Sequence, residues 1–414
     1  MMIEKRLIDV SKNISSGITP LRSNGEFWAN GTIPWLKTEQ LGEKYIFDTN
    51  EYITEKALQE ANVKLFPEST LSIAMYGEGK TRGNVSILKR PMATNQACCN
   101  IELDSEKVSP EYVYYFLKTQ YENLRGLSSG IRKNLNTNDI KNFVIRLPEN
   151  LKTQQSIAAV LSALDKKIAL NKQINARLEE MAKTLYDYWF VQFDFPDANG
   201  KPYKSSGGEM VFDETLKREI PKGWEVKSLN QVADIVMGQS PDGASYNSEQ
   251  EGTIFFQGST DFDWRFPNVR QYTTSPTRFA QTGDILLSVR APVGDLNIAP
   301  FECCIGRGLA ALRSKSGNNS FLFYVMKYFK TVFERRNTEG TTFGSITKDD
   351  LHSLKLVAPA DNVLEKYNEI ASKYDEMIFI RSQQNHQLIQ LRDFLLPMLM
   401  NGQISVTCSG ARDG

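Results

Sequence analysis

Histidine is nearly missing from these 414 residues. His352 and His386 are the two present, and neither stands near a serine or cysteine nucleophile motif, which argues against a histidine-dependent hydrolase. The five cysteines, Cys98, Cys99, Cys303, Cys304 and Cys408, contain no C-x-x-C pair. Vicinal cysteines do not easily satisfy disulfide geometry or tetrahedral zinc spacing, so they read as buried apolar side chains. No apolar run reaches 18 residues, and the opening MMIEKRLIDV is neither a signal peptide nor an arginine-rich transit sequence. A cytoplasmic chain without a membrane span is expected. Net charge is missing too: Lys plus Arg and Asp plus Glu number 49 each. No polybasic arm or acidic tail is the main device, and a charged partner must meet a local patch.

Catalytic motifs are as scarce. Gly77-Glu-Gly79-Lys80-Thr81 carries the G-K-T of a phosphate loop, but Ala74 stands where the first glycine belongs. The RGNVSI that follows looks like strand, not the helix whose N-terminus would hold phosphate. Pro196-Asp197 has no D/E-x-K after it, as a metal-dependent nuclease would need. Neither an N-P-P-Y-like methyltransferase loop nor H-E-x-x-H occurs. No catalytic residue, metal ligand or cofactor is assigned to this chain.

What is present is a duplication. GTIPWLKTEQL (31–41) is echoed by GTIFFQGSTDF (252–262) at an offset of 221, which also places Gly17-Ile-Thr-Pro20 on Gly238-Gln-Ser-Pro241. LNTNDIKNFVIRLP (135–148) lies on ITKDDLHSLKLVAP (346–359) at an offset of 211. Asp165, Ile168, Asn175, Leu178 and Leu185 meet Asp375, Ile378, Asn385, Leu388 and Leu395 at 210. Slowly drifting offsets are what duplication followed by loop changes leaves behind.

Each half opens with β-rich, turn-punctuated sequence and closes with one long helix. In the first half Ile157, Leu161, Leu164, Ile168, Asn171, Asn175, Leu178, Ala182, Leu185 and Trp189 form a heptad stripe. At about 1.5 Å per residue, a helix over Gln154–Phe190 runs roughly 55 Å. Ala371, Tyr374, Ile378, Asn385, Leu388, Leu395 and Leu399 offer a matching face in the second half. The asparagines would fix register at some cost in stability. The expected class is α+β: two β-rich domains in tandem, joined by two long helices forming an antiparallel coiled coil with pseudo-twofold symmetry. The expected segments are a β-rich domain over 1–147, a first helix over 148–193, a linker hairpin over 194–220, a second β-rich domain over 221–358, a second helix over 359–403 and a flexible tail over 404–414.

Basic residues on β-loops, interleaved with aromatics and amides, are candidates for DNA contact. They are Lys37, Tyr76, Lys80, Arg82, Arg132 and Lys133 in the first half, with Trp35 beside them. In the second half they are Gln257, Trp264, Arg265, Arg290 and Arg307, with Phe256 and Arg270. All six basic residues from 254 to 313 are arginine, the side chain suited to bidentate contact with guanine and phosphate.

Over about residues 3–405 the chain resembles the specificity subunit of type I restriction-modification enzymes. The resemblance rests on G-x-T/S-P followed by GTIPW-L-K, on GNVSI and ATNQA, and on the long helix from LPENLKTQQSIAAVLSALDKKIALNKQIN to KTLYDYWFVQFDFP. In the second half it rests on IPKGWEVKSLNQVADIVMGQSP, GDILLSVRAPVGDLNIAP, CIGRGLAAL and FLLPMLMNGQI. It implies two target recognition domains, each reading one half of a bipartite double-stranded DNA sequence, and a helix pair that acts as a ruler. It also implies two docked modification subunits that bind S-adenosylmethionine and methylate adenine, and restriction subunits that bring ATP- and Mg2+-dependent translocation and cleavage. Zero net charge is acceptable if those subunits supply much of the phosphate contact. The rival reading is a non-catalytic scaffold without DNA specificity.

Overall fold

The structure is a computed structural model that describes residues 1–414 except 78–79, 128–133, 339–344 and 407–414, and except the side chains of 334–338. The end of the tail and Cys408 lie outside the described residues. The chain divides into two units: Met1–Leu170 with Asn385–Gly414, and Asn171–Gln384. Four helices matter below: α1 (Pro110–Thr119), α2 (Leu151–Tyr186), α3 (Asn319–Thr338) and α4 (Asp361–Met400). Each unit holds a segment of both α2 and α4.

In the first unit a sheet has the order Ser11–Ser16, Cys98–Leu103, Leu71–Ala74, Val85–Leu88, Tyr45–Ile46. Leu71–Ala74 and Val85–Leu88 are buried at every position, Ser72 and Ser86 included. A second sheet sets Ile33–Leu36 antiparallel to Glu51–Ile53 and parallel to Ala93–Thr94. Helix α1 starts where Ser109 caps it and Pro110 fits its first turn, and it buries Tyr112, Val113 and Leu117 on the sheet.

The second unit repeats this plan. Ala233–Met237, Leu309–Ser314, Ile285–Ser288 and Leu296–Ile298 follow the same sheet order. Thr253–Phe256 runs parallel to Cys303–Ile305, as Ile33–Leu36 does to Ala93–Thr94. The glycine of the repeated G-x-T/S-P motif is needed in both units because backbones meet there. A Cβ on Gly17 would lie 2.1 Å from the Thr94 carbonyl oxygen, and one on Gly238 2.2 Å from that of Gly306. Asn136 with Asp139, and Thr347 with Asp350, form the same capping box at the same place in the repeat.

The stretch 194–220 ends in a hairpin of Met210–Asp213 and Arg218–Pro221, and it is packed rather than tethered. Phe195 stacks between Tyr203 and Trp224 at 4.7 and 4.9 Å, and Phe190 meets Phe321 and Tyr367 at 4.8 and 4.9 Å. Cys98, Cys99, Cys303 and Cys304 are buried, and burial pushes the thiols of Cys98, Cys99 and Cys303 up to about 12.

Within each unit the helix segments run antiparallel. In the first, Asn385 donates its side-chain amide to the Ile168 carbonyl at 3.3 Å, and Arg392 meets Asp165 at 3.1 Å. In the second, Asn175 donates to the Ile378 carbonyl at 3.5 Å and to Ser382 at 3.1 Å, and Asn171 donates to Gln384 at 3.5 Å. Since Ile168 and Ile378 correspond at the offset of 210, the asparagines make one bond twice. Leu161, Ile168, Asn175, Leu178, Ile378 and Asn385 are buried, while Leu164, Leu185, Leu388 and Leu395 are half-buried.

Candidate nucleic-acid interface

In the first unit the turn that opens at Tyr76 follows the strand Leu71–Ala74. It is flanked by the segment returning at Leu135, whose N–H donates to the Met75 carbonyl at 3.2 Å. Tyr76 and Lys80 are exposed, and Gly77 takes the φ of +141° that lets the chain turn. Tyr121 donates its hydroxyl to the Lys80 carbonyl at 2.6 Å, and Arg125 donates to that hydroxyl at 2.7 Å. Arg82 is half-buried. Arg132 and Lys133 lie outside the described residues.

The second unit has the same edge. The Ile346 N–H donates to the Val289 carbonyl at 2.8 Å, as Leu135 does to Met75, so exposed Arg290 takes the place of Tyr76. Backbone bonds from Gly306 to Phe256 (2.8 Å) and from Val289 to Gly308 (2.9 Å) bring Gln257, Arg307 and Arg290 to this edge. All three are exposed. Arg307 donates its backbone N–H to the Ser240 hydroxyl at 3.3 Å.

Gln96 belongs with these residues and escapes a search for basic side chains. It is exposed, corresponds to Arg307 at the offset of 211, and bonds Thr19, which corresponds to Ser240 at 221. The duplication itself is the signal that finds it. A surface with amide, hydroxyphenyl and lysine groups in one unit, and two arginines with an amide in the other, can hydrogen-bond base edges and phosphates.

Three of the expected residues, Arg265, Trp35 and Phe256, are interior. Arg265 is 3% exposed and lies in the interior of its unit. It donates to Glu179 on α2 at 2.6 Å, pairs with Asp375 on α4, and sits 3.8 Å over the Phe323 ring. Its carbonyl accepts from Ile298, at the end of the strand pair opposite to Arg290. A guanidinium that is itself buried and held by two half-buried carboxylates is not offered to DNA. Trp35 and Phe256 are core residues because each lies in a strand paired on both sides, and Trp35 spends its indole N–H on the Ile18 carbonyl. Lys37 is half-buried and held by Glu39 and Glu51 at 2.8 and 2.7 Å. Arg270 is held by Asp261 and the Thr260 carbonyl. Trp264 remains exposed, in the loop that carries Arg265.

The family model described as the type I restriction modification DNA specificity domain matches residues 2–180 and 221–390. The chain belongs to this family. The specificity subunit of the type I restriction enzyme MjaIX of Methanocaldococcus jannaschii is 29% identical over 97% of this chain and 93% of its own length. A chain assigned to the MjaX enzyme of that organism as its specificity subunit is 36% identical over 73% of this chain and 70% of its own. The crystal structure of a type I restriction-modification S subunit from M. genitalium shares the fold, with a TM-score of 0.65, 15% identity and 96% of each chain covered. As a type I specificity subunit this chain recognises DNA within a complex whose other subunits do the chemistry. Among the described residues no three His, Cys, Asp or Glu side chains gather to hold a metal ion, and no helix is long and apolar enough to cross a membrane.

One charged group behind the first unit's edge has a measurable consequence. Lys44 donates to Tyr115 at 2.9 Å and to Ser162 at 2.6 Å. Burial pushes its ammonium down to about 8; Asp165 and Glu111 pull the other way and Lys89 adds to the fall. Between about pH 8 and about pH 10.4 the unfolded chain then keeps a proton that the folded chain has released, so this group adds stability as pH rises. Denaturant unfolding at about pH 7.5 and about pH 9.5 should show the wild type gaining on Lys44→Met across the interval. An unchanged gap between the two proteins would refute this.

Proposed function

We propose that this specificity subunit reads a bipartite double-stranded DNA target, one half per unit, through the edges at Tyr76, Lys80 and Gln96 and at Gln257, Arg290 and Arg307. The observation that carries this is that one backbone arrangement, Leu135 to Met75 and Ile346 to Val289, presents different side chains in the two units. Equivalent surfaces with unlike groups suit an asymmetric target, and the helix pair would set the gap between its halves. Two modification subunits would dock on it, bind S-adenosylmethionine and methylate adenine, and restriction subunits would supply ATP- and Mg2+-dependent cleavage, all in the cytoplasm. This chain would hold none of those cofactors.

The test is a map of methylated adenines in cells carrying this gene and its neighbouring modification gene, with and without this gene. One bipartite motif with a constant gap should vanish on deletion. A map that does not change while both genes are expressed would overturn the reading.

A further inference from the structure

The duplication repeats a cluster that none of the DNA contacts uses. The offset of 221 sets Lys44 on Arg265, one of 209 sets Tyr114, Tyr115 and Lys118 on Phe323, Tyr324 and Lys327, and one of 210 sets Asp165 on Asp375. In both units the first cation comes from the β-rich domain and lies over an aromatic ring of the helix that follows the sheet. Lys44 is 4.4 Å over Tyr115, and Arg265 is 3.8 Å over Phe323. Each then reaches the long helices. Lys44 bonds Ser162 on α2 and Tyr115, which donates to Asp165. Arg265 bonds Glu179 on α2 and Asp375 on α4, with Lys327 on Glu179 and Ser320 on Asp375.

We infer that Arg265, and Lys44 at the equivalent position, are positioning residues: each fixes the orientation of its β-rich domain on the long helices, and so keeps the gap between the two half-sites strict. This rests on the bipartite reading proposed above. A planar guanidinium bonded to two helices and lying on a third removes rotation about any single contact, and the Lys44 ammonium is likewise held at more than one point, by Tyr115, by Ser162 and over the Tyr115 ring. The surroundings in the second unit make the clamp necessary. A cavity of about 330 Å³ opens beside it, lined by Arg265, Phe266, Phe323, Asp375 and Phe379, so apolar packing does not close the seam there. The demand on orientation is steep. One added base pair displaces a half-site by about 3.4 Å and turns it by roughly 35°, and a domain that rocks on its helices can follow part of that.

The test uses the full chain expressed with its modification subunits, and methylation mapping that resolves sites by gap length. Arg265→Met/Glu179→Gln/Asp375→Asn removes the clamp and leaves no buried charge unpaired, since Lys327, which loses Glu179, has a partly exposed side chain. The bases of both half-sites should stay as in wild type, while the preference for the native gap over gaps one base pair longer or shorter falls about tenfold, the size of a single mismatch penalty. Lys44→Met should relax the gap in the same direction. A folded triple variant that keeps the wild-type gap preference overturns the proposal. So does a triple variant that fails to fold, because the cluster would then supply stability rather than orientation. If the wild type itself yields no bipartite motif, the reading of the function fails, a result separate from either of these.

Discussion

Arg265→Met alone is expected to cost about 3 kcal/mol of folding stability, the low end for breaking a buried ion pair, because it leaves two half-buried carboxylates without the cation they share. The side chains of Glu179 and Asp375 are 15% and 24% exposed, and Arg265 is the group that meets both. Lys327 still reaches Glu179, while among the described residues Asp375 keeps the Ser320 hydroxyl. Burial already pushes the Asp375 carboxyl above its ordinary range despite Arg265, so removing that cation pushes it further. The stability lost should therefore shrink as the solution is acidified and Asp375 takes up a proton. Denaturant unfolding of the variant beside Arg290→Met decides the matter. Arg290 is exposed, so its loss should stay within about 0.5 kcal/mol. Equal losses for both arginines would mean that the Arg265 cluster is solvated and that its burial does not govern its energetics.

Arg265 also marks where the sequence stops being informative. Its partners are 86 and 110 residues away, on the two long helices. Beside Trp264 and Arg270 nothing local separates a buried clamp from a DNA contact. Trp35 fails for a related reason: an aromatic next to a lysine suggests a stacking surface, while pairing of Ile33–Leu36 on both sides makes it core. Periodicity and repetition, by contrast, are local or need only the chain itself. The heptad positions from Ile157 to Trp189 are buried or half-buried along their whole length, and both capping boxes lie where the offset of 211 puts them. Gln96 sits between these cases. It is a neutral amide inside ATNQA, so charge does not mark it, and the offset of 211 is what pairs it with Arg307.

Exchanging residues 1–147 for those of a relative should change one half of the methylated motif and leave the other half as it was. The physical ground is that the two units have separate cores. Leu71, Ile87, Ile101, Tyr112 and Leu117 belong to one cluster, and Ile285, Leu312, Phe321 and Tyr367 to another. The graft carries a condition that the linear order of the chain hides. The first unit's core is completed by Ile157 and Leu161 on α2 and by Leu399 and Met400 at the end of α4, and Met2 begins the strand partner of 144–148. A donor whose side chains opposite these four residues differ in volume would leave cavities or overpack them. Leucine-sized voids cost about 2–5 kcal/mol each, enough to lose the protein and mimic a loss of recognition. Keeping Tyr112, Ile145 and Leu147 as they stand here, or bringing the donor's own residues at 157, 161, 399 and 400, removes that ambiguity. With the fold preserved, methylation mapping of cells carrying the hybrid should return the donor's bases in one half, the native bases in the other and the native gap. A change in both halves would show that the units do not read DNA independently, and would count against assigning Tyr76, Lys80 and Gln96 to one half-site.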